Sequence, residues 1–202
     1  MKMKKSGIKT VIIMLVIVGG LIGLYGFIST RDSSDQQGAA METEAQKELT
    51  AVQKLISEAP YKDYPATPVQ VVKYYNEITA CFYNESYSDE QLMSLARLSR
   101  SLFDEELKAT QGDVDYLIAL KADIQTFKKG NITIFQSTVS PSTDVEYFTH
   151  DGHECAKLYC TYTLKSGSVF QGTREVYILR KDAEDHWRIF GFDIVTDEDV
   201  NG

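Results

Sequence analysis

The chain has only three histidines and three cysteines in 202 residues, so it offers little to transition-metal or thiolate chemistry. No G-x-x-x-x-G-K string marks a phosphate loop, and no G-x-G-x-x-G opens a helix after a strand. P-loop and Rossmann nucleotide binding are therefore excluded, and no cofactor is expected. No motif supports Ser-His-Asp or Cys-His catalysis. Basic residues are also scarce beyond residue 28, where 17 Lys and Arg face 29 Asp and Glu, a net charge of −12. A surface of that sign repels phosphate, so nucleic acid is not a partner. Lys128-Lys129 reads as the positive end of a helix rather than as a binding patch.

What the chain does have is an uncharged apolar run at residues 10–28, close to the ~20 residues that cross a bilayer core. A removable signal has a shorter apolar region followed by small residues at a cleavage site. This run instead ends YGFISTR, with no A-x-A pattern and no cysteine nearby to take a lipid. The length favours a retained single-pass transmembrane helix, with the lipid bilayer as partner of residues 10–28. Lys2, Lys4, Lys5 and Lys9 precede the run, which predicts a cytoplasmic stub at 1–9 and an extracytoplasmic remainder at the cell membrane. Gly19 and Gly23 form a G-x-x-x-G pair, a candidate face for self-association.

Residues 29–41 read as a flexible linker, and 42–58 as an amphipathic juxtamembrane helix carrying Leu49, Val52, Leu55 and Ile56. The folded domain is expected at 59–197, with an acidic tail at 198–202. Thr67-Pro68-Val69-Gln70 and Ser88-Asp89-Glu90-Gln91 have the grammar of capping boxes. They open helices near 67–84 and 88–102, and a third is expected over 113–127 with Val114, Leu117, Ile118, Ala119 and Ile124 on its apolar side. Strands follow at 131–139, 145–149, 154–165, 169–181 and 186–196. The clearest one turns Ala156, Leu158, Cys160, Tyr162 and Leu164 to one face. The last changes parity between Ile189 and Phe190, which calls for a bulge near Gly191. The fold class is α+β, with three helices on a curved antiparallel sheet.

TPVQVVKYYNEI from Thr67, REVYILRK from Arg174 and HWRIFGF from His186 resemble the opening helix and closing hairpin of the nuclear transport factor two-like superfamily, the cystatin-like cone. The chain is also similar to membrane-anchored extracytoplasmic proteins of Gram-positive bacteria whose function is unknown. The resemblance covers residues 66–196 and implies a cavity between helices and sheet. Some members use that cavity for isomerase or lyase chemistry, others for binding or assembly. Candidates to line it are Tyr75, Phe82, Cys160, Tyr162, Trp187 and Phe190, with Asp193 a further polar candidate, and no catalytic constellation can be assigned.

His150, Asp151 and His153 form a tight group of metal-type ligands, but HDGH falls on a hairpin turn, and a solvated turn is the favoured reading. Cys155 and Cys160 are five apart in one strand and point to opposite faces, so they should not bond each other. Cys81 could meet either, although three reduced thiols are favoured. The function expected is a membrane-tethered binding or assembly module, with an envelope protein as a candidate partner. The alternative is a small-molecule isomerase or lyase that uses the cavity.

Overall fold

The computed structural model describes residues 49–59 and 63–195. It is an α+β fold in which helices cover one face of an antiparallel sheet. The described elements begin with α1 (Ala51–Glu58), α2 (Pro68–Asn84), α3 (Asp89–Ser101), α4 (Glu105–Ala109) and α5 (Asp113–Lys129). The strands are β1 (Ile132–Val139), β2 (Glu146–His150), β3 (His153–Ser166), β4 (Val169–Lys181) and β5 (Trp187–Ile194).

Helix starts follow side-chain chemistry. Thr50, Thr67 and Ser88 each accept from the backbone N–H three residues on, and Gln53, Gln70 and Gln91 return the bond. The Thr50 cap sets the start of α1 at Ala51, so the helix expected over 42–58 has eight described residues, and 42–48 lie outside the described residues. Asp104 caps α4, an element too short for apolar periodicity to reveal. On α5 the buried stripe is Tyr116, Leu120, Ile124 and Phe127, while Val114 and Ile118 are 71% and 62% exposed. The expected face is therefore rotated: of the residues expected on it only Ile124 is buried, and Tyr116, Leu120 and Phe127 at helical spacing outweigh Val114 and Ile118.

β3 is the centre of the sheet. Its C-terminal half pairs with β1 and its N-terminal half with β2 on one side, and β4 then β5 follow on the other. Two phenylalanines are extruded by bulges. Phe135 lies between the pairs Ile134↔Leu164 and Gln136↔Thr163, and Phe190 between Leu179↔Ile189 and Ile178↔Gly191. The second bulge is the parity change in the sequence, one residue before Gly191. Beyond β5 the Leu102–Asp104 backbone extends the sheet by a parallel bridge, with Ile189 N–H donating to Leu102 O at 2.8 Å and Asp104 N–H to Ile189 O at 2.9 Å.

The expected architecture, a transmembrane helix and then three helices on a curved sheet in a nuclear transport factor two-like cone, is thus corrected. Five α-helices lie among the described residues, and none of them is long and apolar enough to cross a membrane. The run at 10–28, with Gly19 and Gly23, lies outside the described residues, as do the linker and the tail.

Candidate functional site

The inner face of the sheet meets α2 and α5 around a small aromatic cavity. Alternation along β3 and β4 turns Tyr162, Glu175 and Tyr177 inward, and Tyr75, Thr79 and Phe82 come down from α2. Tyr83, Tyr116, Leu120 and Phe192 complete the wall. Tyr177 stacks on Phe192 at 5.5 Å and meets the edge of Tyr75 at 6.2 Å. What remains empty is about 20 Å³, room for one water molecule.

A chain of polar contacts runs through this interior. Glu175 Oε2 lies 2.7 Å from the Tyr177 hydroxyl, which lies 2.7 Å from the Tyr162 hydroxyl, which lies 2.5 Å from Asn76 Oδ1. Asn76 Nδ2 donates to Cys160 Sγ at 3.2 Å. Three oxygen–oxygen contacts need three protons, and the two tyrosines supply two. Tyr162 donates to Asn76 Oδ1 and Tyr177 to the Glu175 carboxylate; when the carboxyl is protonated its own proton completes the set, and the chain then runs Glu175 to Tyr177 to Tyr162 to Asn76. Burial raises the Glu175 pKa from 4.5 to about 7, against the pull of the Tyr177 bond, with Asp193 adding to the rise. Burial likewise pushes the Tyr162 and Tyr177 phenols well above their usual range. A second buried acid, Asp123, accepts from the Tyr83 hydroxyl, and burial raises its pKa too. Its other oxygen has no hydrogen-bond partner.

Of the residues singled out in the sequence, Tyr75, Phe82 and Tyr162 line the cavity. Cys160 is joined to it through Asn76. Trp187 is buried at the far end of the sheet, against the Tyr147 ring at 5.8 Å. Phe190 turns outward, with the Arg180 guanidinium 4.5 Å from its ring centre, because it alternates with buried Ile189 and the bulge brings the inward side back only at Phe192. Asp193 is half-buried near Glu175 but not part of the wall. Glu175 and Tyr177 escaped the sequence reading, although they share parity with buried Leu179.

His150, Asp151 and His153 sit on the exposed β2–β3 turn. Asp151 and Gly152 both have positive φ, 48° and 82°, which is the reason for Asp-Gly in a two-residue hairpin. In the acidic group at the β4–β5 turn, Asp182, Glu184 and His186, the Asp182 carboxylate is already engaged, accepting from Arg188 at 2.6 Å and from the Glu184 and His186 backbone, while His186 Nδ1, 3.8 Å from Asp182 Oδ2, has no hydrogen-bond partner. His153→Ala is accordingly expected to shift the urea midpoint by less than ~0.5 kcal/mol, with or without chelator. Cys81, Cys155 and Cys160 are all free and buried. Burial raises the Cys81 and Cys160 thiols to about 11, so neither is a thiolate nucleophile at neutral pH.

A family model described as Domain of unknown function (DUF6715) matches residues 1–192. No curated protein matches the chain.

Proposed function

The chain belongs to that family of domains of unknown function, and we propose that it is a non-catalytic binding or assembly module, held at the outer face of a membrane by the uncharged run at residues 10–28. The lysines ahead of that run support the orientation. The observation that carries the non-catalytic reading is the closed interior. A substrate pocket is usually above ~300 Å³, whereas about 20 Å³ is open here and the Glu175, Tyr177, Tyr162 and Asn76 side chains are bonded to one another. Partners of such a domain meet its outer surface.

One observation favours a second reading, a small-molecule isomerase or lyase. Glu175 is a buried acid with a pKa of about 7 beside two tyrosines, a range suited to general acid–base work. The two readings separate by ligand stabilisation. A compound that enters the interior and is present at a hundred times its Kd raises stability by about 2.7 kcal/mol. A panel of small cyclic ketones, phenols and hydroxy acids is expected to give no such shift. A shift that disappears in Glu175→Gln would replace the binding module with the enzyme.

A further inference from the structure

The end of the sheet opposite Trp187 gathers exposed aromatic and basic side chains. Phe135, extruded by the β1 bulge, meets Phe170 edge to face at 5.1 Å. They are 59% and 53% exposed, and Val169 beside them is 43% exposed. Lys165 Nζ lies 5.8 Å from the Phe170 ring centre. Ser166 Oγ donates to Gly130 O at 2.8 Å, which ties this hairpin turn to the C-terminal end of α5, where Lys128 and Lys129 are exposed. The Asn84 side chain holds the Ile134 backbone in both directions, bringing the end of α2 to the same place.

The charge here is opposite to that of the rest of the domain. Residues 84–87, 128–135 and 165–170 carry Lys128, Lys129 and Lys165 against Glu85 alone. Among the described residues none of the three lysines is in an ion pair. Two other exposed apolar strips lack free lysines: Val114 and Ile118 have Asp113 and Asp115 on their own helix, with Lys121 beside them taken by Asp89 at 3.0 Å, and Tyr147 and Phe148 on β2 have Lys157 and Lys181 nearby already paired with Glu146 at 3.4 Å and Glu154 at 2.7 Å. Aromatic side chains ringed by lysine suit the headgroup region of an anionic bilayer, and apolar side chains ringed by aspartate do not.

We propose that this end of the domain docks on an anionic bilayer surface, with Phe135, Val169 and Phe170 entering the headgroup region and Lys128, Lys129 and Lys165 pairing with lipid phosphates. The proposal rests on the tethered reading above. The twenty residues from 29 to 48 can reach at most about 70 Å, so the bilayer is a neighbour at high effective concentration and a weak contact suffices. The turn then sets the orientation of the domain and leaves its Trp187 end facing outward.

The test uses the full chain reconstituted in vesicles of phosphatidylcholine, with or without phosphatidylglycerol. The native thiols are buried, so Ser168→Cys on the turn and Glu184→Cys at the opposite end each take one fluorophore at an exposed position. Spin-labelled lipid is expected to quench the label at 168 severalfold more than the label at 184, and only with phosphatidylglycerol present. Replacing Lys128, Lys129 and Lys165 by Gln removes a factor of about five per lysine, about a hundredfold less contact, and Phe135→Ser with Phe170→Ser abolishes the difference. Equal quenching at 168 and 184 in a chain that floats with the vesicles would overturn the docking and leave the tether intact. A chain that does not float would overturn both. Excimer emission between pyrene labels at 168, without lipid quenching, would assign the surface to a second copy of the chain instead.

Discussion

Glu175→Gln is expected to make the domain more stable than the parent at pH 8, by up to about 3 kcal/mol, and to flatten its stability between pH 5 and 8. The carboxyl has a pKa near 4.5 when exposed and about 7 when folded, so the folded state holds its proton more tightly. That contribution is complete below about pH 4.5 and is lost as the pH rises through 7. Two and a half pH units at 1.36 kcal/mol each give the figure. Gln has the shape of the protonated acid and carries an N–H that can donate to Tyr177, so the variant keeps the chain to Tyr162 and Asn76 at every pH. Asp123, raised by burial as well, gives the variant a residual slope of the same sign. Urea unfolding of parent and variant at pH 5 and pH 8 measures this. A variant less stable than the parent at pH 8 would mean that the fold stabilises the ionised Glu175 carboxylate and its pKa is not raised, with Asn76 turned so that its amide donates to Tyr162.

The same residue shows where the sequence is readable and where it is not. Caps are local, so Thr67 with Gln70 and Ser88 with Gln91 announce their helices. Alternation is local too, and β3 buries Ala156, Leu158, Cys160, Tyr162 and Leu164 as the pattern requires. A buried acid is not local. Glu175 is tolerated inside because Tyr177 and Tyr162 meet it across two strands, and nothing in REVYILRK specifies that second strand. Asp123 is the same case, since its partner Tyr83 is forty residues away. On α5 two apolar stripes compete, and only the packing against α2 and the sheet decides between them. The bonds that Arg180 makes to Asp104, 76 residues away in sequence, at 2.6 and 3.0 Å, are likewise invisible until α4 is seen to lie beside β5.

Trp187→Ala is expected to cost ~3–5 kcal/mol, the range for removing a large buried aromatic. The indole is 6% exposed and closes the end of the core where β5 begins. Lys181, its cross-strand partner, lies over the ring at 5.4 Å, and the Tyr147 ring covers it at 5.8 Å. The Trp187 carbonyl accepts the Tyr64 hydroxyl at 2.7 Å, a bond that Ala can keep. The loss is therefore one of apolar packing and not of the backbone anchor that joins β5 to the segment ahead of α2. Against a domain stability of ~5–15 kcal/mol, the urea midpoint should fall by about a fifth or more with an unchanged slope. Tyr147 is itself 61% exposed, so Tyr147→Ala should cost only ~0.5–1.5 kcal/mol, the share of one aromatic pair. If Trp187→Ala costs no more than Tyr147→Ala, the indole contributes only as half of that surface pair, and the closing strand is held by its hydrogen bonds to β4 and to Leu102 and Asp104.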